Sequence, residues 1–337
     1  MKALTLDRPG QFRYTETDIP ERKPGETLLK VKCVGVCGTD LHAYEGTQPF
    51  FSYPRVLGHE LCAEVVEVDS EDQGLRAGDL VTIEPLLNCG VCYSCRIGKR
   101  NCCEDLKVLG VHTGGGMQEY ISVPTRLLHK SDKLSAEELA ICEMLSIGTH
   151  GVNRAAVDPG EWVCVIGAGP IGLGTLQVAS ARGAKLVVID LSHERLQVAR
   201  ELGADYTINP GKEDPATQLR KITGGDMAAA VLDCAGQPPT IEQSVELVAH
   251  GGRIVLVGLS DRPVSLKPST FVRKEIDFRG SRNSLGVFPT VLELVESKQV
   301  DLKAMITHRV EFESVRDIFE NFKRPDFGLI KGIIHLS

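Results

Sequence analysis

The amino-acid sequence predicts an α/β protein with two domains, one rich in short strands and one built on a doubly wound parallel sheet. Its 337 residues exceed what a single hydrophobic core usually holds. Strand-like segments separated by turns fill roughly the first 146 residues, whereas strands alternate with helices in the middle of the chain. We therefore expect one domain to comprise residues 1–147 and 284–337, and the other residues 148–283.

The strand-rich part contains segments of Val, Ile and Leu that are bounded by turn residues. Strands are predicted over residues 28–36, 61–68 and 80–83. Near the end of the chain, a helix over residues 289–297 is followed by a strand over residues 331–336. This tail is too short to fold alone, so we expect it to pack on the first domain.

The middle of the chain repeats the order strand, turn, helix, which is typical of βαβ units. The predicted strands cover residues 162–166, 185–190, 228–233 and 253–258. The predicted helices cover residues 171–182 and 193–202. A glycine-rich turn lies between the first of these strands and the first helix.

Composition excludes several classes of function. The formal net charge is −7 and no dense Lys/Arg cluster occurs, which argues against nucleic acid or an anionic membrane as a partner. No apolar run reaches membrane-spanning length, and the beginning of the chain lacks the apolar core of a secretory signal. The 11 cysteines then indicate metal ligands and reduced thiols rather than disulfides, and a cytoplasmic location is expected.

Four cysteines form the strongest metal signal in the chain. Cys89, Cys92, Cys95 and Cys103 follow the spacing C-x2-C-x2-C-x7-C. Thiolates this close repel one another unless they share a cation, and Zn²⁺ bound by four sulfurs is the usual solution. Such a site has no open position for a substrate. We therefore predict a structural zinc here and expect the chemistry elsewhere.

A dinucleotide site is predicted at the glycine-rich turn, where Gly167, Gly169, Pro170, Ile171 and Gly172 form a G-x-G-x-x-G motif between a strand and a helix. The first glycine permits a tight turn, and the second lets the backbone approach a pyrophosphate. The third permits close packing of helix and strand. The N-terminus of the helix offers unpaired N–H groups to the phosphates.

Asp190 ends the next predicted strand, 18 residues after Gly172. Its carboxylate can accept hydrogen bonds from a ribose 2′-hydroxyl and would repel a 2′-phosphate, so NAD is favoured over NADP. Arg195 is the nearest arginine and a further candidate for cofactor binding. Without the acidic residue, the same glycines would be compatible with an α/β domain that binds no nucleotide.

A second group of metal-capable side chains contains Cys37, His59, Glu60 and Glu143. Cys37, His59 and one or both glutamates would form a mixed site with room for water or substrate, which is typical of catalytic zinc. Taken singly, each residue has a structural interpretation, since a lone Cys is usually a small core residue and a lone His is usually hydrogen-bonded. Their occurrence in one chain with a nicotinamide site favours the catalytic interpretation.

Together these motifs, in this order and over essentially the whole chain, resemble the zinc-dependent medium-chain alcohol dehydrogenases. The resemblance implies a GroES-like catalytic domain and a Rossmann domain, with two zinc ions and NAD as cofactors. It places the fourth structural ligand at Cys103 rather than Cys102. Glu143 stands where the classical members have their second catalytic Cys, which resembles the polyol and threonine dehydrogenase branches. Whether Glu60 or Glu143 contacts zinc directly stays open.

The resemblance also implies roles for residues around these motifs. Thr39 would pass a proton through a cofactor ribose hydroxyl to His42, which exchanges it with solvent. Asp40 is expected to hydrogen-bond His59 and fix its tautomer, although turn formation after Cys37 would explain Asp40 equally well. Lys331 stands where the family places a basic residue on the pyrophosphate.

Residues 48–59 and 109–117 resemble bacterial sugar-acid dehydrogenases, notably the L-galactonate 5-dehydrogenase type. His112, Arg282 and Asn283 are candidate substrate contacts, because a planar guanidinium group suits a carboxylate; Arg282 and Asn283 could instead contact the cofactor carboxamide. The predicted activity is NAD-dependent oxidation of a secondary alcohol in a polyol or sugar acid, by a homodimer or homotetramer. L-threonine 3-dehydrogenase activity is a second possibility. A redox sensor that binds zinc and NAD without turnover is a third.

Overall fold

The computed structural model describes residues 1–48, 51–69 and 74–336. Residues 49 and 50, in the segment 48–59 singled out above, lie outside the described residues. The chain divides into two compact units. Unit 1 contains Met1–Met144, Phe288–Leu292 and Ile306–Ser337, and unit 2 contains Leu145–Val287 and Glu293–Met305. The domain boundaries expected from the sequence stay a prediction.

Unit 1 is built from short, mostly antiparallel strands. They are β1 (Lys2–Arg8), β2 (Gln11–Glu16), β3 (Glu26–Val36), β4 (Arg55–Val56), β5 (Glu60–Glu67), β6 (Leu80–Ile83), β7 (Leu86–Leu87), β8 (Lys107–Val108), β9 (Tyr120–Pro124), β10 (Leu128–Lys130), β17 (Ile306–Glu311) and β18 (Lys331–His335). The main sheet has the order β10-β6-β5-β3-β18-β17, and β9 also pairs with β3. The tail of the chain therefore returns to this sheet, where β18 pairs with β3; the sequence predicts only that the tail packs on the first domain.

Unit 2 is a six-stranded parallel sheet of order β13-β12-β11-β14-β15-β16. Its strands are β11 (Trp162–Ile166), β12 (Lys185–Ile189), β13 (Tyr206–Ile208), β14 (Ala228–Asp233), β15 (Val248–Leu256) and β16 (Asp277–Gly280). Apolar side chains of these strands are fully buried, as expected for a parallel sheet covered on both faces. The predicted fold class, a β-rich domain plus a Rossmann-type sheet, is confirmed.

Helices connect the strands of unit 2 and flank the sheets of unit 1. They are α1 (Gly38–Glu45), α2 (Tyr93–Arg96), α3 (Ala136–Ala155), α4 (Pro170–Ala181), α5 (His193–Glu201), α6 (Pro215–Ile222), α7 (Pro238–Leu247), α8 (Pro268–Lys274), α9 (Phe288–Glu296) and α10 (Val315–Asn321). Within the described part of the chain, none of them is long and apolar enough to span a membrane.

The predicted elements agree with the observed ones to within two residues, with one exception. β15 begins at Val248, five residues before the predicted start at Arg253. Gly251 and Gly252 give this segment the sequence of a turn. The strand continues through them because its register against β14 shifts at this point, and Gly251 adopts the left-handed φ of 71°.

Candidate active site

The end of β3 and the start of α1 position the first candidate ligand. β3 ends at Val36, and Cys37 is the residue that caps α1. Asp40, in the first turn of α1, is buried and accepts a hydrogen bond from the backbone N–H of Cys37 at 3.0 Å. Its other oxygen lies 3.4 Å from the backbone N–H of Gly58. One buried carboxylate thus ties together the two loops that carry Cys37 and His59.

The ligand atoms of Cys37, His59 and Glu60 all lie within 4.8 Å of one another. His59 Nδ1 is buried and has no hydrogen-bond partner in the described part of the chain. It lies 3.7 Å from Asp40 Oδ1, which is too long for the hydrogen bond expected from the sequence. Asp40 instead holds the loop that carries His59, because it accepts a hydrogen bond from the backbone N–H of Gly58, the preceding residue. Burial opposes protonation of His59, but Cys37 and Asp40 raise its pKa well above the usual value.

Glu60 forms a buried ion pair with Lys331. Lys331 Nζ lies 2.7 and 2.8 Å from the two carboxylate oxygens and 3.1 Å from the carbonyl oxygen of Val36. Burial would lower the pKa of Lys331, but Glu60 and Cys37 raise it, so the ammonium ion persists. The three acceptors occupy all three N–H donors. The expected contact of Lys331 with a pyrophosphate therefore does not fit this placement.

Gly35 provides the space for this carboxylate, a role that the sequence reasoning missed. Gly35 is the register partner of Glu60 across β3 and β5. A Cβ atom on Gly35 would lie 2.3 Å from Glu60 Oε2 and 3.0 Å from Ile141. A glycine inside a strand often marks such a close approach, which was the available signal.

Glu143, the other candidate carboxylate, lies on α3 and is buried. It does not belong to the set whose ligand atoms all lie within 4.8 Å. Burial raises the pKa of Glu143 to about 7, against the opposing effect of His59. The structure therefore brings Glu60 into the ligand cluster and leaves Glu143 beside it.

The composition of this cluster fits zinc. A thiol, an imidazole and a carboxylate are the ligand types that Zn²⁺ takes in proteins. The buried, unpartnered ring nitrogen of His59 is the kind of atom that a bound cation would satisfy. Cys37, His59 and Glu60 are the residues that would hold the ion.

The two residues expected to move the proton share one face of α1. Thr39 and His42 are three residues apart in this helix, so their side chains are neighbours. Thr39 is half-buried and His42 is exposed. His42 Nδ1 lies 3.0 Å from the hydroxyl oxygen of Thr47. This arrangement places a hydroxyl near Cys37 and a titratable ring at the surface.

The four cysteines of the closed metal site converge as their spacing predicts. Cys89, Cys92, Cys95 and Cys103 place their sulfurs within 4.8 Å of one another, and the exposed Cys102 is not among them. The backbone N–H of Cys89 donates to Cys103 Sγ at 3.3 Å. Backbone N–H groups of Glu104 and Cys95 lower the pKa of Cys92 to about 6, which favours the thiolate that a metal requires.

The glycine-rich turn of unit 2 has the predicted geometry. Gly167 has a φ of 95°, and Gly169 caps α4, in which Pro170 and Ile171 are the first residues. A Cβ atom on Gly172 would lie 1.7 Å from the carbonyl oxygen of Gly167, so only glycine fits there. A Cβ atom on Gly169 would meet nothing nearer than Arg195 Nη1, 4.0 Å away. The backbone at Gly169 is thus open to a ligand.

Asp190 lies next to this turn. Its Oδ2 accepts a hydrogen bond from the backbone N–H of Ala168 at 2.7 Å, and its Oδ1 accepts one from Ser192 at 2.8 Å. Each carboxylate oxygen keeps a second lone pair for a ribose hydroxyl. The guanidinium group of Arg195 lies on the Gly169 side of the same turn.

The three candidate substrate contacts are distributed over both units. His112, in unit 1, is exposed, and its Nδ1 accepts a hydrogen bond from the backbone N–H of Val108 at 3.1 Å. Arg282 and Asn283 follow β16 in unit 2, where Asn283 has the left-handed φ of 46°. Arg282 is exposed. His112 therefore belongs to the same unit as the metal ligands, and Arg282 and Asn283 belong to the other.

Comparison with known proteins agrees with this geometry. Residues 23–133 match the family model described as alcohol dehydrogenase GroES-like domain, and residues 170–297 match zinc-binding dehydrogenase. L-galactonate-5-dehydrogenase of Escherichia coli K12 is 40% identical over 99% of this chain and 98% of its own. L-threonine 3-dehydrogenase of Pyrococcus horikoshii is 34% identical over 98% of this chain and 97% of its own. A crystal structure of E. coli RspB with NADH superposes with a TM-score of 0.93 at 32% identity, covering 100% of this chain and 99% of the other.

Proposed function

This chain belongs to the zinc-type alcohol dehydrogenase family, and from that premise we propose that it transfers a hydride from a secondary alcohol of a polyol or sugar acid to NAD. The observation that carries the proposal is the cluster of Cys37, His59 and Glu60, whose ligand atoms lie within 4.8 Å. The relative at 40% identity, named for L-galactonate, supports the sugar-acid substrate class.

Each residue of the cluster has a defined part in the proposed mechanism. Cys37, His59 and Glu60 would hold a zinc ion, and Asp40 fixes the two loops that carry Cys37 and His59. Bound zinc supplies Lewis acidity that lowers the pKa of the alcohol hydroxyl. Thr39 accepts a hydrogen bond from that hydroxyl, and the exposed imidazole of His42 exchanges the proton with solvent.

The ion pair between Glu60 and Lys331 would reduce the negative charge around a bound metal. A thiolate from Cys37 and a carboxylate from Glu60 would together bring two negative charges to one Zn²⁺ ion. Lys331, which is 1% exposed, offsets the charge of Glu60 without leaving the site. A metal whose positive charge is not fully neutralised by its ligands is a stronger Lewis acid. Burial raises the pKa of Glu143 to about 7. The carboxyl group of Glu143 can therefore be neutral near this pH.

The experiment that tests the function is a substrate screen with zinc-loaded protein and NAD, following NADH formation over hexonates, polyols and L-threonine. We expect the highest kcat/KM for a hexonate or polyol and a loss of at least about 1000-fold in His59→Ala, as expected when catalytic groups are removed. Turnover that survives His59→Ala would contradict the catalytic assignment of the cluster.

L-threonine 3-dehydrogenase is the second candidate. Relatives of this name from Pyrococcus species are 34% and 36% identical to this chain over 98% of its length. The same screen separates the two, because a threonine dehydrogenase would prefer L-threonine to every hexonate. A redox sensor without turnover is the third candidate; it would bind NADH and two zinc ions but form no NADH from any alcohol.

A further inference from the structure

Asp233 is a buried carboxylate of unit 2 that none of the motifs above includes. It is the last residue of β14 and pairs in register with Ile166 of β11 on one side and Leu256 of β15 on the other. The strand order reverses direction between β11 and β14. In open parallel sheets, ligands bind at the carboxyl ends of the strands at such a reversal. Asp233 therefore lies at the position where the sheet should meet its ligand.

The carboxylate of Asp233 organises the loop between β14 and α7. Its Oδ1 accepts hydrogen bonds from the backbone N–H groups of Ala235 and Gly236, both at 2.8 Å. Its Oδ2 accepts a hydrogen bond from the hydroxyl of Thr240, also at 2.8 Å. The side chain is fully buried, so these three donors replace the hydrogen bonds that the carboxylate would make with water.

The main-chain carbonyl of the same residue fixes the next loop. The backbone N–H groups of Val257 and Gly258 both lie 2.9 Å from the carbonyl oxygen of Asp233. The loop after β14 and the loop after β15 are therefore held by one residue.

The consequence is a direct contact between two backbones. Gly236 has the left-handed φ of 63°, and a Cβ atom on it would lie 2.6 Å from the carbonyl carbon of Gly258. A Cβ atom on Gly258 would lie 2.4 Å from the backbone nitrogen of Gly236. A Cβ atom on Gly167, in the glycine-rich turn, would lie 3.1 Å from the backbone nitrogen of Ala235. The loops of Gly236 and Gly258 thus pack backbone against backbone, and the Gly167 turn packs on the backbone and Cβ of Ala235.

We infer that Asp233 is a positioning residue of the dinucleotide site. By holding Gly236 against Gly258 and Ala235 against Gly167, it fixes the relative positions of the three loops at the carboxyl edge of the sheet. The backbone of the glycine-rich turn is then in place for the approach of a pyrophosphate. This inference rests on the proposed use of NAD, but it concerns cofactor affinity and not the alcohol substrate.

The test measures the affinity for NADH by calorimetry in the absence of substrate. The temperature is one at which circular dichroism shows every variant to be folded. Asp233→Ala removes the acceptor of three hydrogen bonds, so we expect the Kd for NADH to rise roughly tenfold or more. Asp233→Asn keeps an oxygen for the two backbone N–H groups and should recover most of this affinity. A merely structural role predicts lower thermal stability for Asp233→Ala with an unchanged Kd, and that result would overturn the inference.

The matched control is Asp205→Ala. Asp205 also accepts a backbone hydrogen bond, from Leu186 at 2.7 Å, but it does so at the amino ends of the strands. Its replacement should leave the Kd for NADH unchanged. An equal loss of affinity in Asp205→Ala and Asp233→Ala would show a general loosening of unit 2 and would also overturn the inference.

A second pair of variants serves if Asp233→Ala does not fold. Thr240→Val removes the donor to Asp233 Oδ2 with little change in volume, and Thr240→Ser restores it. We expect the Kd for NADH to rise about threefold in Thr240→Val and to return to the original value in Thr240→Ser. If the unaltered protein binds no NADH, the proposed function fails; if it binds NADH and Thr240→Val binds equally well, only the inference about Asp233 fails.

Discussion

At the scale of single residues, buried charges define the site and depend on their partners. Asp40, Glu60, Glu143 and Lys331 are all buried in unit 1. Isolated charges would be costly there, whereas paired ones are tolerated. Glu60 and Lys331 neutralise each other, and the Asp40 carboxylate takes two backbone donors. Replacing one member of such a pair should therefore lower the free energy of unfolding more than replacing both members.

Asp190→Ala tests the assignment of the ribose contact. We expect the Kd for NAD to rise roughly tenfold to hundredfold, because charge-assisted hydrogen bonds to the ribose are lost. The affinity for NADP should fall much less or rise, since the repulsion of its 2′-phosphate disappears. Both constants are measured by calorimetry.

Asp214→Ala is the control, because Asp214 accepts a backbone hydrogen bond at the start of α6 and no cofactor contact is proposed for it. Equal losses for NAD and NADP in Asp190→Ala would indicate damage to the turn through the lost hydrogen bond from Ala168. That outcome would contradict the ribose assignment.

Glu137→Gln tests a pH-dependent ion pair in unit 1. Arg309 contacts both Glu137 oxygens, at 2.8 and 2.9 Å, and this lowers the pKa of Glu137 below its ordinary value of 4.5. A lowered carboxyl pKa adds stability above the unfolded-state pKa, and this is lost as the pH falls through the folded-state value. We expect Glu137→Gln to cost about 1 kcal/mol at pH 7, a modest effect because Arg309 is 47% exposed.

The measurement is urea unfolding of both proteins between about pH 3 and pH 7, a range that brackets the carboxyl titration. The stability difference should shrink below pH 4.5, where Glu137 in the unfolded chain is protonated. Glu293→Gln, on the exposed side of α9, should show no such trend. A difference that is constant with pH would contradict the ion-pair interpretation.

At the scale of elements, β3 organises unit 1. It pairs with β5, β9 and β18, and it ends at Val36, directly before Cys37. Its register places Gly35 opposite Glu60 and Val36 opposite Gly332, next to Lys331. The apolar alternation of residues 28–36 predicts this strand from the sequence. Its central position does not follow from the sequence, because pairing between distant strands leaves no local signal.

Cys92→Ser tests the loop with four cysteines as a separate element. We expect a loss of at least about 3 kcal/mol of unfolding free energy, because structural zinc contributes on the order of 10 kcal/mol in small zinc domains. Thermal unfolding measures the effect, and kcat at a temperature where the variant is folded should change little. Cys102→Ser is the matched control, since this neighbouring thiol is exposed and outside the cluster.

A stable Cys92→Ser variant that has lost turnover while it keeps a second zinc ion would reverse the roles assigned to the two sites. If this zinc is structural, adding zinc to the Cys92→Ser variant should restore part of its free energy of unfolding.

At the scale of the whole molecule, spaced motifs were predictable and long-range pairs were not. The four cysteines and the glycine-rich turn are local patterns, so their spacing determines their geometry. The approach of Cys37, His59 and Glu60 was expected from their occurrence in one chain with a nicotinamide site, because no local spacing joins all three. The pairing of Glu60 with Lys331 spans 271 residues and depends on the return of β18 to β3. The turn-like Gly251 inside β15 shows that tertiary pairing can override local signals.

Metal analysis tests the molecule as a whole. We expect about two zinc ions per chain, one for each cluster of ligands. His59→Ala should retain about one, and Cys92→Ser should lose the other preferentially. Mass spectrometry under native conditions gives the count, and Asp205→Ala should keep both ions. A single zinc ion that is insensitive to His59→Ala would contradict the catalytic site.

The distance along the chain between Glu60 and Lys331 has a consequence for biosynthesis. Ribosomes add about 5–20 residues per second, so Glu60 is made tens of seconds before the ammonium ion that pairs with it. During this interval, the nascent chain carries Cys37, His59 and Glu60 without the cationic partner. The buried ion pair can therefore form only after synthesis has reached β18 and this strand has paired with β3.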